Sequence, residues 1–105
     1  MKVLNFYHIG KKIPDNAVYI GRENIKHNLK QSKFANPFPI NNARTRDEVI
    51  EAYKKWLWQM LNSGVITKQD ILELEGKDLV CYCNPHPCHG DVLLNAFRYY
   101  KEQNN

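Results

Sequence analysis

The stretch that most constrains the fold is DLVCYCNPHPCHGDVLLNAFRYYKEQ, residues 78–103. It opens with a short apolar run suited to a buried strand and closes with Leu93, Leu94, Phe97 and Tyr100 at helical spacing. A strand passing into a helix through a tight loop is the unit of an α/β layered domain, in which ligands sit beyond the carboxyl ends of the strands. Here that position is occupied by a loop with cysteines, histidines and prolines. The two prolines flanking His86 stiffen it before any ligand arrives.

The remaining elements fit the same architecture. MKVLNFY alternates and predicts a strand over 3–7, and AVYI predicts a second over 17–20, stopped by Gly21. Residues 23–44 are rich in Asn, Pro and Ser and read as a long loop with one helical turn around Asn24 to Lys30. Thr45 and Glu48 form the signature of a capping box. Val49, Ile50, Tyr53, Trp56, Leu57, Met60 and Leu61 then follow on one helical face, which Gly64 ends. Trp58 falls off that stripe, as an ordinary partly exposed aromatic. Thr67 with Asp70 starts a shorter helix through KQDILELE, stopped by Gly76. The expected fold is therefore α/β: one small layered domain over residues 1–105, with a short, about three-stranded, at least partly parallel sheet flanked by helices.

Size and charge narrow the function classes. A chain of 105 residues and 12.4 kDa suits one core. No apolar run is long enough for a membrane span, and the first residues lack the pattern of a secretory leader, so a cytoplasmic protein is expected, with no membrane partner. All three cysteines are clustered, which argues against a secreted disulfide framework. A net charge of +4 leans mildly toward anionic partners, and permits nucleic acid without the dense Lys/Arg clustering of a dedicated DNA-binding domain.

The loop supports three chemistries. Cys81 and Cys83, two apart in a strand, share a face, and with Cys88 and His89 they have the Cys₃His composition of a structural zinc site. The spacing C-x-C-x₄-C-H is nevertheless far more compact than the usual pair of separated knuckles. Alternatively, Cys88 is a reactive thiol. It stands where the last helix begins, beside Gly90 and Asp91, and a helix start favours anions, thiolates included. His89 or His86 is then its acid/base partner, although His86, between two prolines, reads more simply as an exposed turn residue. Asp91 either belongs to that catalytic set or caps the helix. The third reading makes Cys81 and Cys83 small core residues.

The segments YIGR (19–22), SKFANPF (32–38), TRDEVIEAYKKWL (45–57) and GKDLVCYCNPHPCHGDVL (76–93) together resemble a family of small bacterial and bacteriophage proteins classified as a domain of unknown function. Its hallmark reads roughly C-x-C-x-P-x-P-C-H-G-D-x-L. The matching positions include Gly21, Arg22, Asn36, Arg46, Tyr53, Cys81, Cys83, Cys88, His89, Gly90 and Asp91. Phe34-Ala35 stands where the family usually has Trp-Gly, so no role requiring an indole carries over to that spot.

This resemblance implies no reaction, but it links the two halves of the chain. Arg22 follows a strand end, as the cysteine loop does, so parallel strands would bring both to one rim. Its planar fork suits phosphate or carboxylate. Asn36 either caps a turn or contacts a ligand, and Arg46, in the first turn of a helix, asks for an acidic partner or an anion. With Gly90 at the last helix start, these residues make a candidate site for a small anionic ligand, most economically a nucleotide or phosphorylated sugar. The expected activity, where there is one, is transferase or hydrolase chemistry by Cys88, His89 and Asp91. The rivals are a zinc-stabilised module for nucleic acid or a protein partner, and an accessory protein that sequesters a host nucleotide.

Overall fold

Leu79, Val80 and Cys81 are no more than 1% exposed, as the apolar sequence of their strand requires. The computed structural model describes residues 1–38, 45–82, 86 and 88–103. In it β3 (Asp78–Cys81) lies between β1 (Val3–Asn5) and β2 (Ala17–Tyr19), and both neighbours run parallel to it, in the order β1-β3-β2. Val3 pairs with Leu79 and Asn5 with Cys81 on one side, while Val18 pairs with Leu79 and Tyr19 with Val80 on the other. Leu79 and Cys81 point into the main core, and Val80, one residue out of phase, is buried on the opposite face. The α/β architecture and parallel sheet agree with expectation.

The first strand is shorter than the alternation predicts. It stops at Asn5 because the side chain of that residue takes over: Oδ1 accepts the N–H of Tyr7 at 2.9 Å, turning the chain, and Nδ2 donates to the carbonyl of Tyr82 at 3.0 Å. Phe6 still donates its N–H to the Cys81 carbonyl, but Tyr7 swings out to 51% exposure. The second strand also ends one residue early, although Ile20 N–H bonds the Val80 carbonyl. The helical turn expected near 24–30 is a 3₁₀ turn, Ile25–His27, closed by Asn28 in the left-handed region at φ 56°. Residues 39–44 of the long loop lie outside the described residues.

Three helices follow from their caps and faces. In α1 (Arg46–Ser63) the Thr45 hydroxyl accepts the Glu48 N–H, and the Glu48 carboxylate accepts the Thr45 N–H, so the expected capping box forms. Val49, Tyr53 and Leu57 are buried, and Ile50, Trp56, Met60 and Leu61 pack against the core from its edge. A second capping box, Thr67 with Asp70, starts α2 (Lys68–Leu72). That helix ends three residues before the sequence pattern suggests. Glu75 and Lys77 instead donate to carbonyls three residues back, in turns that leave Leu74 buried at 3% exposure and reach Gly76 at φ +76°. Both α1 and α2 pack on α3 (His89–Gln103), which lies on β3. Trp58 is half-buried in this layer, edge-on to Tyr99 at 5.4 Å and tilted against Tyr100 at 5.8 Å, so it belongs to helix packing. Among the described residues no helix is long and apolar enough to cross a membrane.

α3 begins at His89, earlier than its apolar spacing indicates, and it meets the sheet closely. A Cβ at Gly90 would lie 2.9 Å from Val3 Cγ2 and 3.1 Å from Ile20 Cδ1. Gly90 is thus a packing residue that lets the helix start press onto β1 and the end of β2. Replacing it with alanine gains at most about 1 kcal/mol of helix propensity and overpacks the contact at a cost of about 1–3 kcal/mol. Gly90→Ala is therefore expected to lower stability in denaturant unfolding.

Asp70 connects the loop to α2, since its carboxylate also accepts from Lys33 Nζ at 3.0 Å. The Thr67 N–H first, and Lys33 next, hold its carboxyl below the usual carboxylate range. A depressed carboxylate stabilises the fold above its unfolded-state value, about 3.9, and that contribution fades as pH falls through the folded value. Asp70→Asn should cost about 0.5–1 kcal/mol at pH 7, the scale of a capping contact with an exposed ion pair. The gap from wild type in urea melts should be full at pH 7 and shrink as pH falls below about 4.

Candidate functional site

The end of β3 and the start of α3 bring two sulfurs and an imidazole together. Cys81 Sγ and Cys88 Sγ lie 2.9 Å apart, Cys88 Sγ is 3.5 Å from His89 Nδ1, and the Gly90 N–H points at Cys88 Sγ from 3.4 Å. Cys88 stands just ahead of α3, where a side chain accepts helix N–H groups, and its sulfur occupies that role. Asp91 completes the arrangement, its Oδ2 accepting the Cys88 N–H at 3.0 Å, and so it acts as the first-turn cap that fixes the Cys88 backbone. Both cysteines are thiols, 1% and 2% exposed, and His89 is 7% exposed.

The protonation of His89 follows from its other ring nitrogen. Nε2 is 2.8 Å from the carbonyl oxygen of Ile20, which can only accept, so Nε2 carries a proton. In the neutral imidazole the lone pair is then on Nδ1, toward Cys88, where it can take the thiol proton. The Tyr53 ring stands edge-on to the imidazole at 5.0 Å, and its hydroxyl donates to the Phe34 carbonyl at 2.7 Å. Burial first, and the neighbouring Cys88 next, push the Tyr53 phenol up, which keeps it a neutral donor.

Beside this cluster opens a cavity of about 310 Å³ at the carboxyl edge of the sheet. It is lined by Cys81, Tyr82 and His89, by the apolar Val49 of α1 and Phe38, and by the segment Gly21 to Asn24, which includes the acidic Glu23, together with Asn36. Arg22 is exposed there. Its Nε donates to the Asn36 carbonyl at 2.8 Å, the one hydrogen bond its side chain makes among the described residues. The side chain of Asn36 caps a turn by accepting the Phe38 N–H at 2.8 Å. Further in, Asn24 Nδ2 donates to the Tyr82 hydroxyl, which contacts the Tyr19 hydroxyl at 2.9 Å. Tyr19 in turn bonds the Arg22 carbonyl. A hydroxyl has one hydrogen, so with Tyr19 giving its own to Arg22, the Tyr19–Tyr82 contact takes its proton from Tyr82. Burial pushes the Tyr19 phenol up.

Of the residues singled out from sequence, Arg22, Asn36, Cys81 and His89 line one cavity. Cys88 sits behind them, touching His89 and Cys81 from the core side. Gly90 packs on the sheet, and Arg46 at the start of α1 is not on the cavity wall. Cys83 lies outside the described residues, and among those described no group of three His, Cys, Asp or Glu side chains is placed to hold a metal ion. The sequence reading missed Gly21, Glu23, Asn24, Phe38, Val49 and Tyr82 as cavity residues. Only Tyr82 carried a signal, as the residue beyond Cys81 on a strand pointing at the rim.

Comparison with known proteins agrees with the family resemblance. No solved structure matches the chain. An uncharacterised 12.4 kDa protein from the nrdA-td intergenic region of Enterobacteria phage T4 is 36% identical over 76 residues, 71% of this chain and 70% of that protein. Uncharacterised protein R718 of Acanthamoeba polyphaga mimivirus is 34% identical over 91 residues, 77% of this chain and 66% of its own length. Residues 5–99 match the family described as Domain of unknown function (DUF4326), and the chain belongs to that family.

Proposed function

We propose that the protein binds a small phosphate-bearing, nucleotide-like ligand in the cavity at the carboxyl edge of the sheet, in the cytoplasm of a bacterial or phage-infected cell. The observation that carries this reading is that Arg22 and His89, from opposite ends of the chain, line one cavity of about 310 Å³ with Phe38 and Tyr82. That volume is at the small end of ligand sites and suits a mononucleotide or sugar phosphate. Nε of Arg22 is anchored on Asn36, which aims the terminal nitrogens of the fork and lowers the cost of ordering it around a phosphate. Phe38 and Tyr82 line the cavity as aromatic surface against which a base would pack.

Chemistry on that ligand would come from the Cys88–His89 pair. Nδ1 takes the thiol proton, the helix start steadies the thiolate, and Asp91 holds the Cys88 backbone, giving a nucleophile for transferase or hydrolase chemistry. A second reading, sequestration without turnover, is favoured by the burial of Cys88, which is 2% exposed and off the cavity wall.

The test is thermal unfolding and calorimetry with nucleoside mono-, di- and triphosphates and sugar phosphates. A true ligand at a hundred times its Kd adds about 2.7 kcal/mol of stability. Arg22→Ala should weaken binding about 10- to 100-fold, the worth of a charge-assisted fork, with Arg22→Lys recovering only part. If no phosphate-bearing compound stabilises the protein, the reading fails. Mass spectrometry of the bound compound after incubation separates the two versions: a product that disappears in Cys88→Ser establishes chemistry, and unchanged ligand establishes sequestration.

A further inference from the structure

We infer that Cys81 and Cys88 form a reversible oxidation site, an intramolecular disulfide that clips the end of β3 to the start of α3 in response to hydrogen peroxide. The inference is independent of the ligand reading. Its basis is the position of the two sulfurs, 2.9 Å apart, on the last residue of β3 and the residue preceding α3. A disulfide has its sulfurs about 2.0 Å apart, so an approach of about 0.9 Å completes the bond.

The surroundings divide the labour between the thiols. Cys81 lines the cavity, and an oxidant as small as peroxide reaches it from there. Cys88 does not line the cavity, but it has the activating contacts: the Gly90 N–H on its sulfur and the Nδ1 lone pair of His89, whose orientation the Ile20 carbonyl fixes. Cys81 is therefore the peroxide-reacting thiol and Cys88 the resolving one. In the first step the Cys81 sulfur attacks one peroxide oxygen, the O–O bond breaks, and the products are the sulfenic acid of Cys81 and water. In the second the Cys88 sulfur, its proton passed to His89 Nδ1, attacks the Cys81 sulfur. The S–O bond breaks, and the leaving hydroxide takes up that proton as a second water. Overall, two thiols lose two electrons to one peroxide, with one S–S bond and two waters formed. A dithiol such as dithiothreitol reverses the reaction by exchange.

The experiment treats the reduced full-length chain with hydrogen peroxide, blocks remaining thiols with iodoacetamide and measures intact mass. The three alkylatable thiols of the chain should fall to one. Chymotrypsin, which cuts after Tyr82, then separates Cys81 from the other two, and a linked peptide pair with Cys83 alkylated identifies the bond. Cys83→Ser should still lose two thiols, whereas Cys88→Ser should stop at a Cys81 sulfenic acid that dimedone captures. The wild-type mapping stands even where a variant fails to fold. A bond that includes Cys83, retention of all three thiols, or a sulfenic acid on Cys88 in the Cys81→Ser protein with none on Cys81 in Cys88→Ser would overturn the assignment.

Discussion

A hydrogen bond of 2.8 Å from His89 Nε2 to the carbonyl of Ile20 joins two parts of the chain that sequence separates widely, and much of the site depends on it. It satisfies a carbonyl just past β2, where the sheet ladder has stopped supplying donors. It holds the start of α3 against that strand end, the approach that Gly90 permits by lacking a side chain. It also fixes the imidazole's protonation, leaving Nδ1 to face sulfur. Because the bond is buried, its loss would strand both a carbonyl and a ring nitrogen.

Around that tie the protein keeps two compartments close but distinct. Cys88 sits in the core among Tyr53, Leu57 and Leu93 in one cluster of buried side chains, and Cys81 belongs both to that cluster and to the cavity lining. The cavity lies on the other side of His89 and Cys81, with its cation on the rim and aromatic rings inside. The Asn24–Tyr82–Tyr19 chain of hydrogen bonds stiffens the wall between the two strand ends and uses polar atoms that would otherwise compete for a ligand. Shape is thereby set by buried packing, while charge remains in reach of solvent, as in many small-molecule sites.

The parts of this arrangement that were legible in the sequence are those encoded locally. Thr45 with Glu48, and Thr67 with Asp70, announce helix starts because cap and partner are three residues apart. The apolar run Leu79 to Cys81 announces a buried strand, and the parallel order that puts Arg22 and His89 on one rim follows from strand–loop–helix logic. What escaped is encoded between distant residues. Nothing near Asn5 says that its amide will reach Tyr82, and nothing near Ile20 says that its carbonyl will be capped by a histidine from α3. The Phe38 and Val49 walls likewise exist only once α1 and the loop close over the sheet. The sequence leaves both a turn and a ligand role open for Asn36; its amide oxygen serves the turn while its carbonyl anchors Arg22.

The strand order has a further consequence for how the chain acquires its shape. β1 and β2 are both complete within the first twenty residues, yet neither bonds the other, since each has β3 as its sole sheet partner among the described residues. During synthesis the ribosome therefore releases two edge segments that wait, unladdered, for most of the polypeptide to emerge. The sheet zips only when the late strand threads between them, a long-range closure that makes assembly slow relative to helix formation. Any fragment cut short of β3 would hold capped helices and two strands with no sheet to join.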